Sequence, residues 1–139
     1  MTVMTFKIYP QLRNDCYDLG ELELCRLLLT NDSRYPWFIL VPQRVGISEI
    51  YQLSEIDQIQ LNKESVYLSQ KLAKAFSADK MNVAALGNVV PQLHIHHVVR
   101  YRDDQAWPAP IWGFGDTVKY EPIELDQVKA KIRKILTDF

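Results

Sequence analysis

Gly87-Asn88-Val89-Val90-Pro91-Gln92-Leu93-His94-Ile95-His96-His97-Val98-Val99-Arg100 holds every histidine of the chain within four consecutive positions. Leu93 to Val99 reads as a β-strand. Alternate side chains of a strand share a face, so Gln92, His94, His96 and Val98 are expected to point one way and Leu93, Ile95, His97 and Val99 the other. Two imidazoles and an amide on one face require an accessible polar pocket there. The opposite face suits packing beneath a helix.

The segments on either side complete a simple architecture. Met81 to Leu86 reads as a strand leading to a turn or bulge at Gly87-Asn88. Ser54 is placed to cap a helix whose first turn carries Glu55 and Asp57. From there to Phe76, Leu61, Leu68, Leu72 and Phe76, joined by Ile56, Ile59 and Val66, recur at helical spacing. Ile47 to Leu53 reads as a short helix. Further upstream, Trp37-Phe38-Ile39-Leu40-Val41 is a strand signature. It pairs naturally with residues 21–29 around the turn formers Thr30-Asn31-Asp32-Ser33-Arg34-Tyr35-Pro36. Residues 1–20 are the least regular. Trp107, Pro108, Pro110 and Trp112 fall in an irregular loop, and Glu124 to Leu136 forms a second helix with Val128, Ile132 and Leu136 on one side. The predicted fold is α+β, an antiparallel sheet with one long and one C-terminal helix packed on it, in a single domain over residues 1–139.

With 47% hydrophobic and 24% charged residues, the chain of 139 can bury a core and is not a disordered segment. A formal charge of −1 and a pI near 6.3 give no basic stripe, which argues against nucleic acid as a partner but not against a small anionic ligand. Cys16 and Cys25 form no C-x-x-C pair and fit a reducing compartment as small buried hydrophobes. Met1 to Pro10 shows no signal-peptide pattern, and no apolar run is long enough to cross a bilayer. The expected location is the cytoplasm, away from membranes.

The histidine cluster admits three uses. Hydrogen-bonded packing would make it structural, although clustering argues against this. A metal held by His94 and His96 would want a third protein ligand, and with His97 on the other face no cysteine or further histidine is available, leaving only Asp or Glu from elsewhere, so no metal site is assigned. A nucleophile needs one imidazole to attack and another to manage a proton or leaving group, and the segment supplies both.

The segment Gly87 to Arg100 resembles the signature of the histidine triad (HIT) family, His-φ-His-φ-His-φ-φ with φ apolar, often preceded by Gly-Asn and Pro. The resemblance spans about residues 20–105 and includes the upstream hairpin and the long intervening helix. It implies a nucleotide hydrolase in which His94, the middle position, attacks a nucleotide phosphorus to give a nucleotidyl-histidine that water hydrolyses. His96, the third position, then assists beside the scissile phosphate and leaving group. Substrates implied are dinucleoside polyphosphates or nucleoside phosphoramidates. No cofactor is required, although a divalent cation can accompany a polyphosphate. A homodimer is also implied.

Two departures stand out. Gln92 occupies the first triad position, where an amide can still hold the middle imidazole by hydrogen bonding. His97 replaces a usually apolar residue and is expected to face away as a packing or interface residue, since a register with His97 in the site would break the alternation. Asn82 resembles the family's polar side chain near the phosphates, and Gly87 and Asn88 are placed for close backbone approach or ligand contact. Asn31 and Asp32 resemble ribose-contacting residues, although their turn chemistry alone explains them equally well. Leu28 and Leu29 are candidates to border the base. Trp107 and Trp112 are candidates to cover the pocket or meet a partner subunit, and Arg100 or Arg102 to meet a distal phosphate. A nucleotidyltransferase using the same intermediate is one alternative, but related transferases carry glutamine at the third position. A nucleotide-binding module with little turnover is the other.

Overall fold

Residues 95–100 separate the two faces of a sheet as their alternation requires. In the computed structural model, which describes residues 5–137, the elements are helix α1 (Pro10–Asp15), strands β1 (Cys16–Glu21), β2 (Cys25–Thr30) and β3 (Trp37–Pro42), helix α2 (Glu55–Ala75), strands β4 (Lys80–Ala84) and β5 (Ile95–Arg100), and helix α3 (Pro122–Leu136). Met1 to Met4, within the segment that shows no signal-peptide pattern in sequence, lie outside the described residues. The five strands form one antiparallel sheet in the order β1-β2-β3-β5-β4.

On one face Leu27 and Leu29 of β2, Phe38 and Leu40 of β3 and Ile95 and Val99 of β5 pack against Leu61, Leu68 and Leu72 of α2 and Ile132 and Ile135 of α3. On the other, Leu28, Ile39 and Val41 meet Leu12 of α1 and Val90. Val98 on this face meets Tyr35, Ala106 and Ile111, the last two from the long loop between β5 and α3. The two helices therefore share one face, and α1 and the loop cover separate parts of the other.

Ser54 caps α2 by accepting a bond from the Asp57 N–H at 3.1 Å, as the sequence indicated. The apolar stripe is narrower than expected. Ile56, Ile59 and Val66 are exposed, because at about 100° per residue they lie roughly 140–220° around the axis from Leu61. Glu64 instead completes the buried face, accepting from the N–H groups of Leu24 and Cys25 at 2.9 and 3.0 Å and from Gln60 at 2.8 Å.

Other expectations shift in detail. The segment 21–29 divides into the end of β1 and most of β2, and the irregular N-terminal region holds α1 and β1. The short helix at 47–53 contracts to a 3-10 turn at Ile50–Gln52. The histidine strand begins at Ile95 rather than Leu93, leaving Gln92 and His94 in the approach to it. The hairpin survives as β2 and β3, with Leu28 opposite Ile39. The C-terminal helix starts earlier than expected, on Pro122, behind a reciprocal cap between Glu121 and Glu124.

Candidate active site

His94 and His96 lie on the sheet face opposite α2 and α3, with ring centroids 4.9 Å apart and the planes edge to face. They line a cavity of about 340 Å³ together with Thr30, Trp37, Ile39, Trp112, Gln11, Leu12 and Asp15 of α1, and the segment Leu86 to Val90. His97 points the other way, toward Ser65 of α2, as the alternation anticipated.

The partners of each ring fix its proton. A carbonyl only accepts, so the 2.7 Å contact from His94 Nδ1 to the Gln92 carbonyl places the proton on Nδ1. In neutral His94 this leaves the lone pair on Nε2. An indole N–H only donates, so Trp37 Nε1–H at 2.9 Å makes His96 Nδ1 an acceptor and puts the His96 proton on Nε2. His97 donates from Nδ1 to the Ile95 carbonyl at 3.1 Å, and its Nε2 accepts from Ser65 Oγ–H at 2.7 Å. Burial is the main reason His96 is pushed down to about 3, with the nearby His94 and His97 adding to it. Burial likewise lowers His97 to about 4 against the opposing bond to Ile95. Both are neutral at pH 7.

Trp112 stands edge-on to His96 at 5.3 Å and to Trp37 at 6.2 Å, closing one side of the cavity. Trp107 lies apart from it, over the guanidinium of Arg100. On another side, Gly87 has φ of +75°, a backbone conformation glycine adopts without strain. Gly87, Asn88 and Val89 line the cavity, and their backbone N–H groups have no hydrogen-bond acceptor among the described residues.

The remaining candidate residues are placed differently. Gln92 does not hold His94 through its amide. That amide donates from Nε2 to the Lys7 carbonyl at 2.8 Å and accepts the Tyr9 N–H at 2.9 Å, tying the N-terminal arm to the histidine segment. Its backbone carbonyl is what holds His94. Leu29 is buried on the helix face, away from the cavity, because it alternates with Leu28 along β2. Asn31 and Asp32 also stand apart from the cavity lining. Asp32 is buried in a pair with Arg34 at 2.8 Å, whose Nη1 reaches the Phe114 carbonyl at 2.6 Å. Asn31 Oδ1 accepts the Tyr120 N–H at 2.9 Å. These turn residues thus clamp the far end of the loop that brings Trp112 to His96. Arg100 secures the near end through Asp104 at 2.8 Å and the Ala109 carbonyl at 2.9 Å, and the side-chain Oδ1 of Asn82 accepts from its Nη1 at 2.7 Å. Arg102 is exposed, and its N–H donates to Asp79.

Thr30, Asp15, Gln11 and Trp37 belong to the cavity without having been singled out from sequence. Trp37 was legible only as a strand residue, and α1 was not legible at all. No group of three or more histidine, cysteine or acidic residues arranged to hold a metal occurs among the described residues. No helix among them is long and apolar enough to cross a membrane.

The sequence model of the HIT domain matches residues 11–103. The chain therefore belongs to the histidine triad family, a superfamily of nucleotide-binding proteins, hydrolases and transferases in which some members are not catalytic. It is 48% identical to a histidine triad protein from Marinobacter aquaeolei VT8, with a TM-score of 0.94 over 97% of this chain and 98% of that one. A histidine triad protein from Sinorhizobium meliloti 1021 is 42% identical, with a TM-score of 0.91 over 94% and 96% of the two chains. One from Bradyrhizobium japonicum is 37% identical, with a TM-score of 0.92 over 94% and 98%. Among curated proteins, none matches the sequence.

Proposed function

We propose that the chain, acting as one domain, hydrolyses nucleoside phosphate derivatives of the dinucleoside polyphosphate or nucleoside phosphoramidate type through a nucleotidyl-histidine on His94. The observation that carries this reading is the pairing of opposite proton states on the cavity wall. His94 offers an Nε2 lone pair because the Gln92 carbonyl holds its Nδ1–H, and neighbouring His96 offers an Nε2–H. One ring suits attack on phosphorus and the other suits the leaving side.

The acceptor-free N–H groups of Gly87, Asn88 and Val89 are suited to the negative charge of a phosphoryl group in transfer. Asp15 and Thr30 line the same cavity, and we assign them, in place of Asp32, to the ribose, since a carboxylate suits a diol. An adjoining cavity of about 340 Å³, with Phe6, Ile8, Leu12 and Leu28 among its walls, is suited to a base. Leu28 is the wall residue we assign to border the base. The reaction needs no metal held by the protein, and a divalent cation travels with a polyphosphate substrate. We place the enzyme in the cytoplasm, consistent with the free thiols of Cys16 and Cys25. We further propose a homodimer through the outer edge of β4 and the adjacent exposed Ile59, Val66 and Val83.

Incubation with adenine dinucleotides and adenosine phosphoramidates, followed by intact-mass analysis, tests the reaction. A nucleotidyl adduct and product release that both vanish in His94→Ala are expected. Turnover retained in that variant would falsify the assignment of the nucleophile. Binding without turnover across the panel would identify a binding module, and transfer to a second phosphate acceptor in preference to water would identify a transferase.

A further inference from the structure

We propose that Trp37 restricts this site to substrates whose leaving group departs as a stable anion, so that phosphoanhydrides are cleaved in preference to P–N bonds. The inference rests on the hydrolase reading above and narrows it.

The indole N–H of Trp37 occupies His96 Nδ1 at 2.9 Å. Indole is donor only, so that bond exists only while Nδ1 is unprotonated. Protonating Nδ1 would set two N–H groups against each other inside the protein, in contact with the Trp112 and His94 rings. No carboxylate bonds to His96 among the described residues, and attack turns neighbouring His94 into a cation. All of these hold His96 neutral, in agreement with its depressed pKa. Neutral His96 can lend its Nε2–H as a hydrogen bond, but full transfer of that proton would leave an imidazolate. Trp37 is therefore a positioning residue that makes His96 an oxyanion donor instead of a general acid.

The steps balance on that basis. The His94 Nε2 lone pair forms the N–P bond, and the bridging P–O bond breaks with its electron pair going to the departing phosphate. The His96 proton stays on its ring throughout. Water then forms an O–P bond, the N–P pair returns to His94, and the proton lost by water passes to solvent. A departing phosphate is a weak enough base to accept this sequence. A departing amine requires a proton that His96 cannot release.

The test compares turnover of an adenosine phosphoanhydride with that of an adenosine 5′-phosphoramidate of a simple alkylamine, in wild type and in Trp37→Phe. Wild type is expected to favour the anhydride by on the order of 100-fold, the low end of what a missing general acid costs. Trp37→Phe keeps an aromatic ring and frees Nδ1, so the preference is expected to narrow about tenfold or more, on the same Brønsted reasoning. Nitrogen-15 NMR of the wild type at neutral pH should find His96 protonated on Nε2 alone, a readout that needs no variant. Equal or faster phosphoramidate turnover in wild type, an unchanged preference in folded Trp37→Phe, or a proton on His96 Nδ1 overturns the inference and leaves the hydrolase reading standing. Absence of both turnover and His94 adduct with either substrate removes the hydrolase reading, and this inference with it.

Discussion

The carboxylate of Asp32 and the guanidinium of Arg34 meet at 2.8 Å, two positions apart in sequence, with side chains 0% and 6% exposed. Arg34 passes that anchorage to the loop carrying Trp112 through the Phe114 carbonyl. Asp32→Ala strands a buried cation and is expected to cost about 3 kcal/mol, the usual penalty for removing one partner of a buried pair. Urea denaturation measures the loss. A ribose-contacting role would give the opposite pattern, a raised KM with stability intact.

Glu64 makes a second prediction. Its two carboxylate oxygens receive three donors inside the core, two of them the backbone N–H groups of Leu24, just before β2, and of Cys25, its first residue. Glu64→Gln converts one acceptor into a donor facing a donor, and should cost roughly 1–3 kcal/mol, the penalty for a buried unsatisfied group. An unchanged urea midpoint would show that the segment around Leu24 rearranges freely.

Stability should fall as the solution is acidified below about pH 6.5, well before most carboxylates titrate. His97 is held near 4 when folded and has an ordinary value of 6.5 when unfolded. Between those values the unfolded chain binds more protons, so stability rises with pH across that window and is lost on descending it. At about 1.4 kcal/mol per unit, His97 contributes on the order of 3 kcal/mol, and buried His96 acts in the same direction. Urea midpoints measured from pH 7 to pH 4 should show this slope, and His97→Gln should reduce it.

Ile59 and Val66 are 53% and 52% exposed on α2 and contribute nothing to the core. Replacing both with glutamate should convert a dimer to a monomer in light scattering while the thermal midpoint of the subunit changes little. A monomeric wild type, or a variant that stays dimeric, contradicts an interface at this surface.

The long-range frame was readable because its signals are local and redundant. Ser54, the leucines of α2, the run Trp37 to Val41 and the histidine alternation each announce an element without reference to distant residues. β1 was not readable: Cys16-Tyr17-Asp18-Leu19-Gly20-Glu21 has no clean alternation, being an edge strand with an irregular register between Asp18 and Gly20. At the site, His94 and His96 were legible from spacing, whereas Asn31 and Asp32 were not resolved by it. An Asn-Asp turn has the same composition whether it grips a ligand or a loop 80 or more positions away. Asp15 and Thr30 reach the cavity only through the packing of α1 and β2 around it, which no short window contains.

Each imidazole of this protein is steered by an uncharged group: His94 by a backbone carbonyl, His96 by an indole, and His97 by a hydroxyl and a carbonyl. A carboxylate beside His94 or His96 would orient the ring just as firmly, but it would set a fixed negative charge behind a site we propose to receive phosphate. Orientation by dipoles alone separates aim from field. The rings are pointed by short hydrogen bonds, and an incoming anion meets no like charge bonded to them.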